Sequence, residues 1–178
     1  MMHQTEISTI SGQIAAFRQG FSARSIEKIY FVSCGGSLAT ISFGRCILDQ
    51  LTAKVHTALM NAAEFIATAP PSVDKKTLVI LNSQSGGTAE TVAAARLAKE
   101  RGALTLSFTT APDSLIERES DHTVYYYDNP LDPYPTQLTI FPDVCQAAFA
   151  ILDVLEGTVL FRDFEVASGR WNMSLTAT

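Results

Sequence analysis

The chain has 178 residues, 47% of them hydrophobic and 17% charged, with a net charge of −5. That length suits one ordinary domain with a sizeable core, and the composition excludes a disordered chain. The acidic balance argues against a nucleic-acid partner, which needs a basic face, but leaves room for a small anion held by backbone N–H groups.

The first residues, Met1-Met2-His3-Gln4-Thr5-Glu6, lack the basic segment and apolar run of a signal peptide. Ile7, Ile10, Ile14 and Phe17 stand at helical spacing, which predicts an amphipathic helical arm over residues 1–24. Residues 28–32 form a short β-rich run that stops at Ser33-Cys34-Gly35-Gly36, the pattern of a buried parallel strand and a tight turn. From Ser37 to Leu51 the apolar period is helical. A second strand is expected over 55–60, a short helix over 61–68, and a loop at Pro70-Pro71. Thr77-Leu78-Val79-Ile80-Leu81 is the strongest strand pattern, and it ends at Asn82-Ser83-Gln84-Ser85-Gly86-Gly87. An alanine-rich helix over 88–101 closes at Gly102. A fourth strand over 104–108, a short helix over 113–120 and a fifth strand over 123–127 follow. Residues 128–142 hold four prolines and read mostly as loop; 143–155 is helical and ends at Gly157. Residues 158–178 show no clear period and read as a tail or linker.

Strands alternating with helices predict an α/β fold, a three-layer αβα sandwich on a five-stranded parallel sheet, spanning residues 25–157. In the flavodoxin-like order 2-1-3-4-5, ligands bind at the carboxyl rim where strand order reverses, between strands one and three. Those are the two strands that end in Gly/Ser-rich turns.

The second turn offers the hydroxyls of Ser83, Ser85 and Thr88, with Gly86 and Gly87 allowing the backbone to fold around an anion. The helix that follows presents unpaired N–H groups and its positive dipole end. No lysine is present, so this is not a nucleotide P-loop, and a monophosphate suits it better than a triphosphate. A second reading has Thr88 and Glu90 simply starting a helix, with Ser37 capping another and Gly35 and Gly36 making only a turn. GxGxxG is absent, which counts against a dinucleotide.

These residues resemble a family. Tyr30-Phe31-Val32-Ser33-Cys34-Gly35-Gly36-Ser37-Leu38-Ala39 is similar to the first-loop motif of sugar isomerase (SIS) domains, and Ser83-Gln84-Ser85-Gly86-Gly87-Thr88 to their S-x-S-G-x-T phosphate loop. Asn61-Ala62-Ala63-Glu64-Phe65 and Lys99-Glu100-Arg101-Gly102-Ala103 are similar to segments at the same places. The resemblance covers about residues 25–157 and implies binding of a phosphorylated sugar or amino sugar. Ser83, Gln84, Ser85 and Thr88 would hold its phosphate, and Gly35, Gly36 and Ser37 its sugar. The Cys-Gly-Gly-Ser-Leu-Ala form most resembles deglycases that cleave fructosamine 6-phosphates, and next the isomerase half of glucosamine-6-phosphate synthase. Those relatives carry two such domains, so the resemblance implies that the catalytic glutamate and histidine come from a second domain or subunit. A non-catalytic phosphosugar sensor is the alternative.

Within this chain, Glu64 is the one candidate for proton transfer, since it follows strand two near the ligand edge; a helix-start carboxylate is the plainer reading. His56 and His122 fall at strand starts, away from that edge, and His3 in the terminus. Cys34, Cys46 and Cys145 form no CxxC pair and predict reduced thiols in a cytoplasmic protein, with no metal and no cofactor. No membrane partner is expected, and the apolar first helix and unexplained tail point to a homo-oligomer.

Overall fold

The computed structural model describes residues 9–126 and 140–175. His3, Ile7, Tyr127 and most of the loop expected over 128–142 lie outside them. Helix α1 (Ile10–Ser22) begins at Thr9, whose hydroxyl accepts the Gly12 N–H at 3.2 Å, and buries Ile14, Phe17 and Phe21. The expected arm thus contributes to the main core. It is followed by β1 (Lys28–Ser33), α2 (Gly35–Leu51), β2 (His56–Asn61), α3 (Ala62–Thr68), β3 (Thr77–Asn82) and α4 (Ala89–Glu100). Next come β4 (Leu104–Thr109), α5 (Leu115–Glu119), β5 (His122–Tyr125), α6 (Phe141–Glu156) and α7 (Leu160–Leu175).

The five strands pair in parallel in the order β2-β1-β3-β4-β5, as expected. Every residue of β3 and β4 is buried, because helices cover both faces; this is why those strands read as continuous apolar runs. Successive side chains still point to opposite layers. Leu78 and Ile80 join a core with Phe17 of α1, Ile41 of α2 and Val144 of α6. Val79 and Leu81 join the other, with Phe65 of α3, Ile116 of α5 and the small Ala94, Ala95 and Ala98 of α4.

Two histidines sit at strand starts. His56 is exposed on the edge strand. His122 lies edge-on to Phe17, ring centroids 5.8 Å apart, and burial pushes its imidazole below the usual value.

The segment after Gly157 differs from the sequence expectation: it forms α7. Its start is capped from the end of α6, where Asp153 Oδ1 accepts the Leu160 N–H and the Thr158 hydroxyl, both at 2.7 Å. Asp153 Oδ2 accepts the Phe161 N–H at 3.2 Å. Phe164 then rests on Phe149 of α6, centroids 5.4 Å apart.

Candidate functional site: a hydroxyl-lined recess at the carboxyl rim

Ser33 lies opposite Asn82 in the β1–β3 register, so the two strands end level and their turns leave the same rim side by side. Buried polar contacts hold them there. The Ser33 hydroxyl donates to the Asn82 carbonyl, and the Asn82 side-chain amide donates to Thr40 Oγ1 of α2 at 2.9 Å. The Tyr126 hydroxyl, arriving from the end of β5, donates to Asn82 Oδ1 at 3.4 Å.

Ser83 organises the second turn from within. It is buried, its N–H donates to the Phe108 carbonyl at 3.0 Å, and its carbonyl accepts the Gly86 N–H at 2.9 Å. Its hydroxyl lies 2.9 Å from that of Thr88 and accepts the Thr88 N–H at 3.4 Å. The turn is also fastened to the end of β4. The Gln84 carbonyl accepts the Thr110 N–H at 3.1 Å, the Thr110 hydroxyl at 2.9 Å and the Thr109 hydroxyl at 3.1 Å.

Ser37, Gln84, Ser85, Thr88 and Thr110 line one open recess of about 450 Å³. None of these side chains is ionisable, so the recess offers hydroxyl and amide groups rather than a basic side chain to an anion. Two helix N-termini border it. Thr88 occupies the cap position of α4 without making a side-chain cap bond, its hydroxyl being turned to Ser83. Cys34 occupies that of α2, again without a cap bond. By contrast, Thr9 and Asn61 do cap α1 and α3. The capping reading of Thr88 and Ser37 therefore does not describe this site. Thr91, in the first turn of α4, donates its hydroxyl to Cys34 Sγ at 3.8 Å, joining the two helix starts. Such N-termini favour negative charge through unpaired N–H groups and the helix dipole.

Of the residues singled out from sequence, Ser37, Gln84, Ser85 and Thr88 come together here. Ser83 stands behind the turn and is not among the lining residues. Gly35 and Gly36 are exposed at the start of α2, and Gly35 adopts φ +52° to make the turn without lining the recess. Glu64 and Glu90 are both exposed, in the first turns of α3 and α4, and neither lines it. Thr110 escaped the sequence reading, although Thr109-Thr110 follows strand four onto the same rim; the strand order was the signal that could have found it.

Residues 23–155 match the family described as SIS domain. The chain belongs to the SIS family. Its relatives include a fructosamine deglycase, FrlB, of Bacillus subtilis, 34% identical over 152 residues that make up 85% of this chain and 46% of that protein. A glutamine–fructose-6-phosphate aminotransferase (isomerizing) of Clostridium tetani is 39% identical over 105 residues, 59% of this chain and 17% of that one. Among solved structures, a candidate phosphosugar isomerase from Bacillus subtilis superposes with a TM-score of 0.78 at 32% identity. The match covers 89% of this SIS domain chain and 49% of that one. The chain thus spans about half the length of the deglycase and of that solved structure, and a smaller share of the aminotransferase. Among the described residues no helix is long and apolar enough to cross a membrane.

Proposed function

We propose that this SIS domain is the phosphate-binding half of an aldose–ketose isomerase or deglycase acting on a fructosamine 6-phosphate or an amino-sugar 6-phosphate. The observation that carries the reading is the recess itself: Ser37, Gln84, Ser85, Thr88 and Thr110 gathered beside two helix starts whose cap residues, Cys34 and Thr88, make no side-chain cap bond. The phosphate sits against Ser85, Thr88 and the first turn of α4, with Gln84 beside it and Ser83 holding the turn in shape. The sugar extends toward Ser37 and the Gly35-Gly36 turn. Similarity to FrlB supports the fructosamine form of the substrate, and similarity to the aminotransferase supports the amino-sugar form.

Moving a proton between neighbouring sugar carbons needs an acid and a base within reach of the ligand. Among the described residues the recess lining contains neither, and Glu64 stands exposed on α3. A second domain or subunit supplies the proton-transfer groups in this reading, which the match to only 46% of the deglycase supports. The enzyme works in the cytoplasm, where Cys34, Cys46 and Cys145 stay reduced. The lack of ionisable lining groups among the described residues favours one second reading, a sensor that binds a phosphosugar without turning it over.

Calorimetric titration with fructose 6-phosphate and with unphosphorylated fructose tests the binding role. Hydrogen bonds to a charged group contribute about 1.5–3 kcal/mol each, so S85A/T88A weakens fructose 6-phosphate binding by roughly 100-fold or more. Fructose binding stays nearly unchanged; equal losses for both sugars sink the assignment. Turnover of a fructosamine 6-phosphate favours the enzyme, whereas binding without turnover favours a sensor or an enzyme half lacking its second domain.

A further inference from the structure

The Gln84 carbonyl oxygen receives three donors although a carbonyl has only two lone pairs. The Thr110 N–H reaches it at 3.1 Å, the Thr110 hydroxyl at 2.9 Å and the Thr109 hydroxyl at 3.1 Å. One of the three is surplus, and their surroundings decide which. The Thr110 N–H is fixed by the backbone. Thr109 is fully buried at the end of β4, and its hydroxyl oxygen is itself held by the Ala111 N–H at 3.2 Å, so its proton has no solvent or ligand to turn to. Thr110 is only partly buried, and of the two threonines it is the one that lines the recess.

We propose that Thr110 is a releasable donor to the ligand's phosphate: its hydroxyl proton rests on the Gln84 carbonyl and turns to a phosphate oxygen when one enters the recess. This rests on the phosphosugar reading above and adds a residue to it. A hydroxyl proton reorients freely about its C–O bond, and a hydrogen bond to a charged oxygen is roughly twice as strong as one to a neutral carbonyl. Release leaves the Gln84 carbonyl with the Thr110 N–H and the Thr109 hydroxyl, which fill its two lone pairs. The turn therefore keeps its fastening to β4, and no backbone has to move for the donor to become available. Ser85 complements it from the β3 side. Its oxygen accepts the Gly87 N–H at 3.3 Å and the side chain is exposed, which leaves its proton for the ligand. The phosphate is then gripped from the ends of two neighbouring strands, β3 and β4.

The test is calorimetric titration of the chain with inorganic phosphate and with fructose 6-phosphate, alongside thermal unfolding of the ligand-free protein. Thr110→Val keeps the side chain's shape and removes the hydroxyl. Both affinities fall by about 10-fold, the modest end for a hydrogen bond to a charged group because the carbonyl must first be given up. The unfolding midpoint stays within about 2 °C of wild type, since the carbonyl keeps two donors. Thr110→Ser retains the donor and brings both affinities back. Unchanged affinity in Thr110→Val, with S85A/T88A still weakening fructose 6-phosphate binding, overturns this inference and leaves the phosphosugar reading standing. A loss that comes with a midpoint several degrees lower, or that Thr110→Ser does not restore, also overturns it, because the hydroxyl then acts by fastening the turn. Wild-type protein that binds neither probe removes the phosphosugar reading and this inference together.

Discussion

Gly86 and Gly35 both adopt positive φ, yet their surroundings differ. At Gly86 (φ +66°) an added Cβ would fall 2.3 Å from Ser114 Cβ and Oγ and 3.1 Å from Thr109 Oγ1. At Gly35 (φ +52°) it would meet nothing within 4 Å. Left-handed backbone alone costs an L-residue roughly 1–2 kcal/mol, and overpacking adds about 1–3. Gly35→Ala should therefore lower stability by about 1 kcal/mol, and Gly86→Ala by about 2–4 kcal/mol. Urea unfolding of both variants checks the ranking. Because Gly86 lies between Ser85 and Thr88, relief of the clash by shifting the turn would also cost ligand affinity, an effect absent from Gly35→Ala. Equal destabilisation by the two changes would mean that Ser114 yields easily.

At the scale of elements, α7 depends on one carboxylate in the helix before it. Asp153 accepts from the Thr158 hydroxyl and from the Leu160 and Phe161 N–H groups, the donors that the first turn of α7 cannot satisfy internally. Asp153→Ala removes the cap and should cost about 1–2 kcal/mol. The loss should concentrate in α7, raising hydrogen exchange there while the amides of β3 and β4 stay protected. Uniformly faster exchange across the sheet would contradict a local role. The same residues explain why this helix was not evident from its own sequence: its cap comes from outside the segment, and Phe164 finds its partner on α6.

For the whole molecule, the pH dependence of stability carries a signature from Asp143, in the first turn of α6. It is 5% exposed, and burial pushes its carboxyl up from 3.8 to about 7. The folded state therefore holds a proton that the unfolded chain has already released. Below the unfolded value the group costs nothing through ionisation; as pH rises from there to about 7 it progressively destabilises the fold. Asp143→Asn should consequently be more stable than wild type at pH 8, by on the order of 2–4 kcal/mol, with the gap closing toward pH 4. Thermal unfolding across that range checks it, and a gap independent of pH would refute the assignment to ionisation. Measuring the difference between the two proteins removes the opposite contribution of His122. Its value is lowered, so it withdraws stability as pH falls below about 6.5.

The alternation of strands and helices, the parallel order and the two Gly/Ser turns at the reversal point were all legible along the chain. They are written in short-range signals: apolar period, glycine placement, and the run of Val, Leu and Ile in β3. Residue type and the family resemblance together pointed to Ser83, Gln84, Ser85 and Thr88 with Gly35, Gly36 and Ser37, of which Ser37, Gln84, Ser85 and Thr88 line the recess. Which hydroxyl faces the recess was decided only by packing, because Ser83 and Ser85 look alike in sequence while one is buried against Phe108 and Thr88 and the other is exposed. Thr110 entered the lining through the β3–β4 pairing and its bonds to the Gln84 carbonyl, a contact spanning 26 positions. The cap on α7 is likewise a product of separate segments meeting. A local pattern records what each segment can form, whereas the identity of its neighbours is settled when the layers close on one another.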